Sequence, residues 1–178
     1  FSFQPSPISN NLTQSSVRDI FQDQDGFIWL LTQEGLNRYD GISVINYRPS
    51  GTKPYAISHQ AVTSILQDHQ GTIWVTTAGG GLNRYEKSKD GFSTPSINQD
   101  LPAILRTAHL HSSGAIWLSA NERSDVYLAM FHPDSPDLVV QYKSPTSTLI
   151  EAITDFHGGG LLLGLKGDTG LALFNEAS

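Results

Sequence analysis

Gly26-Phe27-Ile28-Trp29, Gly71-Thr72-Ile73-Trp74 and Gly114-Ala115-Ile116-Trp117 are three versions of one phrase, and they decide the fold. Their tryptophans lie 45 and 43 residues apart. Self-similarity at such a period is the signature of repeat architectures, in which each repeat is one supersecondary unit that cannot bury its apolar faces alone. The sequence therefore predicts a chain of stacked repeats.

The first two repeats are nearly the same sequence. Thirteen positions are identical: Val17, Ile20, Gln22, Asp23, Gly26, Ile28, Trp29, Thr32, Gly35, Leu36, Asn37, Arg38 and Tyr39 match Val62, Ile65, Gln67, Asp68, Gly71, Ile73, Trp74, Thr77, Gly81, Leu82, Asn83, Arg84 and Tyr85. The third repeat keeps the Gly-x-Ile-Trp phrase but loses the Gly-Leu-Asn-Arg-Tyr element. In the fourth, Leu162 replaces the tryptophan and Gly170 to Phe174 echoes the third strand.

Each repeat reads as short strands separated by turns. In the first, 17–22, 27–32, 36–40 and 43–47 are the strand candidates, and glycine closes the first turn. Four strands in about 45 residues are typical of a propeller blade. We predict an all-β fold, a β-propeller of about four blades of four antiparallel strands, part of a larger sensor, with blades near 12–47, 57–98, 104–142 and 149–178. Trp29, Trp74 and Trp117 are interpreted as fillers between neighbouring blades.

The last repeat lacks a fourth strand after Phe174. The alternating residues Phe1 to Gln4 are candidates for that strand, supplied within the chain or by a second copy. Two copies would then form a ring of about eight blades, so a homodimer is one expectation. The chain runs from Phe1 to Ser178 without an evident domain end, and we expect it to be part of a longer protein.

Composition excludes several classes of partner and site. The net charge is −6 and the eleven lysines and arginines are scattered, so neither nucleic acid nor an anionic membrane surface is an expected partner. The absence of cysteine removes disulfides and thiolate chemistry. No apolar run approaches the roughly 18 residues that span a bilayer, and no signal peptide is visible, so we expect no direct membrane insertion of this segment.

The repeated phrase resembles a known family. Val-x-x-Ile-x-x-Asp-x-x-Gly-x-Ile-Trp-x-x-Thr followed by Gly-Leu-Asn-Arg-Tyr looks like the two-component regulator propeller repeat, most clearly over 12–85. The resemblance implies the periplasmic sensor region of a bacterial inner-membrane signalling protein. Such proteins carry further blades and domains outside the membrane, and a histidine kinase, hybrid kinase or diguanylate cyclase inside the cell.

Residues that recur in every repeat are expected to serve the fold. Asp23 and Asp68 stand three residues before Gly26 and Gly71, where a carboxylate can accept backbone N–H groups of a turn; Gly114 holds the same glycine position. His109 and His111 would share one face of a strand and could begin a zinc site, but no spacing brings a third ligand. We therefore predict no metal, no cofactor and no catalytic residue.

A ligand site is expected on the face where the connections between blades and the second turn of each blade open. The connections are 48–61, 92–104 and 134–149, and the turns are 33–35, 78–81, 121–125 and 166–169. Departures from the repeat are informative here: Asn121, Glu122, Arg123 and Asp125 replace a small glycine turn and could hold a hydroxylated ligand. His59, in a connection between blades, is a further candidate. An exposed polar loop without a ligand is the alternative.

Three functions remain open at this point. The first is an extracytoplasmic sensor module of a two-component type receptor, which binds a small solute or saccharide and is not an enzyme. The second is an enzyme on a propeller scaffold, a lyase or hydrolase, which would need a unique cluster of His, Asp or Glu at the axial mouth. The third is a purely structural or protein-interaction propeller. Fold alone does not separate them.

Overall fold

A computed structural model of the chain describes residues 2, 4, 6–97, 101–135, 137–145, 148–167 and 170–175. Within these residues four separate antiparallel sheets follow one another along the chain, and each sheet keeps its strands in sequence order. Contacts join each sheet to the next one, first to second, second to third and third to fourth. The predicted all-β propeller of four blades is confirmed.

The strands of the first two blades are short. Blade 1 contains β1 (Val17–Gln22), β2 (Ile28–Thr32), β3 (Gly35–Tyr39) and β4 (Val44–Tyr47), and blade 2 contains β5 (Val62–Gln67), β6 (Ile73–Thr77), β7 (Gly81–Glu86) and β8 (Gly91–Ser93). The second strand of each blade is a largely apolar run, Ile-Trp-Leu-Leu-Thr in β2 and Ile-Trp-Val-Thr-Thr in β6, and nine of these ten residues are buried.

The strands of the third blade are longer. Blade 3 contains β9 (Ile104–Leu110), β10 (Ile116–Glu122), β11 (Asp125–Phe131) and β12 (Leu138–Pro145), and blade 4 contains β13 (Leu149–Asp155), β14 (Leu161–Lys166) and β15 (Leu171–Phe174). Short 3-10 turns occur at Ser9–Asn11, Lys87–Lys89 and His157–Gly159. No helix in the described part of the chain is long and apolar enough to cross a bilayer.

Blade 4 has three strands among the described residues, with β15 at its outer edge. A largely apolar cavity of about 320 Å³ lies between blades 3 and 4, with Tyr142, Ala172 and Phe174 in its wall. Phe1 and Phe3, half of the predicted closing strand Phe1–Gln4, lie outside the described residues. Completion of blade 4 by that segment stays a prediction.

The hydrophobic core lies between the blades. Trp29 is fully buried and packs edge-on against Tyr85, whose ring centroid is 5.2 Å away in the next blade. Trp74 meets Phe131 of blade 3 at 5.2 Å, and Trp117 meets Phe174 of blade 4 at 5.6 Å. Each tryptophan thus fills the space between its own blade and the one after it.

A carboxylate ties the tryptophan to the first turn in blades 1 and 2. Asp23 Oδ1 accepts the Phe27 amide at 2.9 Å, and Asp23 Oδ2 accepts Trp29 Nε1 at 2.7 Å. Asp68 repeats the arrangement and accepts Trp74 Nε1 at 2.8 Å. Because the turn glycines have positive φ, +88° at Gly26, +85° at Gly71 and +89° at Gly114, the chain can reverse there without a Cβ clash.

Candidate functional site

A cavity of about 370 Å³ opens between blades 3 and 4, at the end of the hairpin formed by β10 and β11. Its wall consists of Arg106, Asn121, Arg123, Ser124, Asp125, Val126 and Leu149. Three of the predicted ligand residues, Asn121, Arg123 and Asp125, therefore share one cavity. Glu122 and His59 are not part of its wall.

The predicted polar loop 121–125 is corrected by the structure. Asn121 and Glu122 belong to β10, and Asp125 begins β11, with Glu122 paired directly opposite Asp125. Only Arg123 and Ser124 form the turn. Arg123 has φ +53°, as tight two-residue hairpins with positive φ require, although this region suits Gly or Asn better. β10 is two residues longer than β2 and β6, and β11 is two residues longer than β3.

Arg106 holds the inner side of the cavity. Its Nε donates to Asn121 Oδ1 at 2.7 Å, and its Nη1 lies 3.9 Å from Glu151 Oε1 of blade 4. Lys166 Nζ lies 3.9 Å from the same carboxylate oxygen. The network crosses from blade 3 to blade 4, so a group bound here would touch both blades.

Asp125 lines the cavity and is paired with Lys143, which lies outside the wall. Lys143 Nζ lies 3.2 Å from Asp125 Oδ2 and 5.0 Å from the centre of the Tyr127 ring. Hydrogen bonds with Tyr127 and then Asp125 raise the pKa of Lys143, so the ammonium is charged at neutral pH. The Asp125 carboxylate is therefore already balanced by a cation.

Arg123 differs from these neighbours. It is exposed on the turn, and no hydrogen bond or ion pair joins its guanidinium to any other described residue. An arginine presents five donors in a planar fork that fits a carboxylate or a pair of hydroxyls. The geometry leaves this fork available at the mouth of the cavity.

Arg106 and Glu151 were missed in the sequence. Each lies in a β-bulge of the inner strand, where the pairing register shifts by one residue; Arg18 and Thr63 hold the same position in blades 1 and 2. The four residues at this repeat position are Arg, Thr, Arg and Glu, at spacings of 45, 43 and 45. A bulge re-aims a side chain, which suits a position at a functional mouth.

His59 has a role in the chain's own packing. Its Nδ1 accepts the Ala61 amide at 3.1 Å, and its ring covers Gly79, where an added Cβ would come within 2.8 Å of the imidazole. The structure thus places His59 against the glycine turn of blade 2 and does not bring it to the cavity between blades 3 and 4.

A larger open groove of about 720 Å³ lies beneath the connection between blades 1 and 2. Residues 49–51, 53–58 and 92–94 line it. Lys53 is the one charged side chain in that wall, and much of the surface is Pro, Gly, Ala and Ser. Size favours this groove, but the smaller cavity gathers polar groups from three strands of blade 3 and the turn between two of them, which is what a specific site needs.

His109 and His111 meet Asp155 of blade 4. His109 Nε2 lies 2.6 Å and His111 Nε2 3.9 Å from Asp155 Oδ1, and the Ser112 amide donates to Asp155 Oδ2 at 3.0 Å. Burial raises the pKa of Asp155, but the hydrogen bonds from His109 and Ser112 outweigh it, and the pKa lies below its usual value. No group of three potential ligands among the described residues has the geometry for a metal ion.

A second charged cluster is enclosed between blades 1 and 2. Arg38 Nη1 lies 2.9 Å from Asp90 Oδ1 and also contacts the Tyr85 hydroxyl, while Tyr47 and Tyr85 both donate to Asp90 at 2.6 Å. Burial, followed by the hydrogen bond to Asp90, raises the pKa of Tyr47 and of Tyr85. Arg38 also lies 4.7 Å over the Phe27 ring. Arg38 Nε is buried without a hydrogen-bond partner, while the other polar groups of the cluster contact one another, which indicates a mainly structural role.

Four consecutive antiparallel sheets with a filler residue between each pair define the chain as a β-propeller module. Residues 11–34 and 56–79 match the model of the two component regulator propeller. The two matches cover the first two strands of blade 1 and of blade 2, and the resemblance inferred from the sequence is confirmed. No curated protein matches the chain.

Solved structures share the fold. The extracellular domain of a hybrid two component system from B. thetaiotaomicron superposes with a TM-score of 0.74 at 20% identity, over 92% of this chain and 21% of that one. A surface component of the type-IX secretion system of Porphyromonas gingivalis gives 0.65 at 16% identity, over 93% and 26%. Virginiamycin B lyase from Staphylococcus aureus gives 0.63 at 18%, over 96% and 57%. The chain spans about a fifth of the length of the two component structure.

Proposed function

We propose that the chain is a ligand-sensing part of the extracytoplasmic region of an inner-membrane receptor of the two-component type. The repeats of blades 1 and 2 support this class, together with the fold shared with the extracellular domain of a hybrid two component system. In this proposal the blades work with further blades and domains of the receptor, and the output is a kinase or cyclase activity elsewhere.

The ligand is a small polar solute or saccharide held between blades 3 and 4. The single observation that carries this proposal is the free Arg123 guanidinium at a cavity of about 370 Å³, within the range of small-molecule pockets. Asn121 and Ser124 add neutral hydrogen-bonding groups beside it. Because Arg106 of blade 3 and Leu149 of blade 4 both line the cavity, a ligand that contacts both would favour one arrangement of the two blades over another.

Binding without chemistry fits this site better than catalysis does. Asp125 is paired with Lys143, and Glu151 lies between Arg106 and Lys166. Both carboxylates thus have cationic partners within the chain, and no histidine lines the cavity. The fold shared with virginiamycin B lyase makes a lyase the competing function. The wall of this cavity, however, contains no cluster of histidines and unpaired carboxylates that could carry out such a reaction.

Thermal unfolding with matched probes tests the proposal. D-glucose and D-glucuronate differ by one carboxylate, and the free fork of Arg123 should favour glucuronate. A ligand at ten times its Kd stabilises the folded state by about 1.4 kcal/mol, which raises Tm by about 3–6 °C for a domain of this size. Arg123→Ala should abolish the shift, while Arg84→Ala, a half-exposed arginine on blade 2, should keep it.

Two results would count against this assignment. A shift that survives in Arg123→Ala would move the site elsewhere in the chain. No shift with either probe, nor with a wider panel of neutral and acidic mono- and disaccharides, would favour a structural or protein-interaction propeller.

A further inference from the structure

Another cavity lies between blades 1 and 2, at the end of the blades where the first turn of each repeat stands. Its volume is about 360 Å³, and two four-stranded blades contribute to its wall. Phe27 and Arg38 line it from blade 1, and Ile73 and Tyr85 line it from blade 2. The hairpin turn between β10 and β11 is at the opposite end of its blade, so this cavity is separate from the candidate site between blades 3 and 4.

Arg38 uses only part of its guanidinium for contacts within the chain. Nη1 lies 2.9 Å from Asp90 Oδ1 and contacts the Tyr85 hydroxyl. Nε is buried without a hydrogen-bond partner, and Nη2 has no partner among the described residues either. Nε and Nη2 form one side of the planar fork, and their parallel N–H groups match the two oxygens of a carboxylate. Asp90 lies on the Nη1 side and does not compete for these donors.

The surroundings hold the guanidinium in place at the cavity. The Arg38 side chain is 13% exposed, and its Cζ lies 4.7 Å from the centre of the Phe27 ring and 5.7 Å from that of Tyr85. A side chain that is fixed before binding loses little conformational entropy when a ligand arrives. A buried N–H without an acceptor destabilises the folded chain, and an incoming acceptor removes that cost.

The other charged groups in the wall already have partners. Asp23 accepts two hydrogen bonds inside its own hairpin. Lys87 Nζ lies 2.7 Å from Asp25 Oδ2 and joins the two blades, and Arg84 Nη1 lies 3.9 Å from Glu86 Oε1. None of these carboxylates pairs with the unused side of the arginine fork. An acceptor for that side therefore has to come from a bound molecule.

We propose that this cavity binds a small carboxylic acid with an apolar body, held as the carboxylate by the Nε and Nη2 donors of Arg38. The rings of Phe27 and Tyr85 and the side chain of Ile73 supply an apolar wall for the body of the ligand. The volume lies within the range of small-molecule pockets and suits benzoate or phenylacetate. This second site goes beyond the solute site between blades 3 and 4 and does not depend on it.

The test follows the Nε–H signal of Arg38 by NMR in the ¹⁵N-labelled chain while benzoate is added. Arg38→Lys identifies the signal by its loss. The expected result is a saturable downfield shift, because a charge-assisted hydrogen bond forms at that atom. Benzyl alcohol has the same ring without a charge, and it is the matched ligand that should leave the signal nearly unchanged.

Two variants assign the site. Arg38→Lys should weaken benzoate binding by at least about 10-fold in calorimetry, since lysine keeps the charge but lacks the paired donors. Arg123→Lys carries the same substitution at the other cavity and should bind benzoate as the parent chain does. Circular dichroism checks that both variants are folded. If Arg38→Lys does not fold, nuclear Overhauser effects from the benzoate ring to Phe27 and Tyr85 of the parent chain locate the ligand.

Three results would overturn the proposal. The first is no saturable shift at Arg38 with either benzoate or phenylacetate, which would mean that water alone meets the unused side of the fork. The second is an equal shift with benzyl alcohol. The third is loss of benzoate binding in Arg123→Lys, which would place the carboxylate between blades 3 and 4. The thermal shift with D-glucuronate is a separate measurement, so either proposal can fail while the other stands.

Discussion

The hydrogen bond between Asp68 and Trp74 gives the sharpest test of how the repeat stabilises its blade. Asp68 is buried and accepts three hydrogen bonds, from the amides of Gln70 and Thr72 at 2.9 Å and from Trp74 Nε1 at 2.8 Å. Asp68→Asn keeps the shape but turns one acceptor atom into a donor. Whichever way the amide is oriented, at least one buried N–H loses its acceptor.

The number of hydrogen bonds lost gives the expected decrease in the free energy of unfolding. A hydrogen bond to a charged group contributes about 1.5–3 kcal/mol, so Asp68→Asn should lower the free energy of unfolding by about 2 kcal/mol and Tm by about 4–8 °C. Asp68→Ala leaves all three donors without an acceptor and should lower the free energy of unfolding by about 3–5 kcal/mol. Asp25→Asn is the control, since Asp25 is exposed and its surface pair with Lys87 contributes at most about 1 kcal/mol.

Urea and thermal unfolding, followed by tryptophan fluorescence and circular dichroism, measure these differences. A double-mutant cycle with Trp74→Phe assigns the cause, because Asp68→Asn should cost about 1–2 kcal/mol less where the indole N–H is already gone. A coupling free energy below about 0.3 kcal/mol would refute the claim that the Asp–Trp bond, rather than the turn amides alone, explains the repeated aspartate.

Three further predictions concern other parts of the chain. Gly79→Ala should lower the free energy of unfolding by about 2–4 kcal/mol in a urea titration, because φ is +152° and the new Cβ would lie 2.8 Å from the His59 ring. Tyr85→Phe should cost about 1–2 kcal/mol, since it removes a 2.6 Å hydrogen bond to Asp90; an unchanged Tm would mean that this bond adds nothing. The depressed pKa of Asp155 means that its stabilisation is complete above pH 3.8 and is lost as the pH falls through the lower folded value. Asp155→Asn should therefore flatten the acid limb of a plot of Tm against pH, and an unaltered limb would contradict this.

The fold was predictable because its signals are local. The turn aspartate, the glycine with positive φ and the tryptophan lie within seven residues, from Asp23 to Trp29, and their hydrogen bonds form inside one hairpin. The local sequence is therefore enough to specify this hairpin at any position in the chain. The repeat spacing then implies the stacking, since a single four-stranded sheet cannot bury both faces.

The candidate site was predictable only in part. Asn121, Arg123 and Asp125 were found because they depart from the repeat, yet their loop proved to be two extended strands joined by a two-residue turn. Arg106 and Glu151 were not predicted, because the alternation of apolar and polar residues does not reveal a bulge in the inner strand. His59 was chosen for its place in a connection, and its ring instead packs on a glycine.

The sequence by itself determined the four sheets, the order of their strands and the aspartate that caps the first turn, because these depend on contacts between residues close together in the chain. Only the tertiary structure decided what each repeated residue does. Arg38 is enclosed by aromatic rings and Asp90, whereas its equivalent Arg84 is half-exposed beside Glu86. Ile20 and Ile65 occupy the same repeat position, and one faces solvent while the other is buried. The physical reason is that burial and charge pairing are set by the neighbouring blade, which no repeat contains in its own sequence.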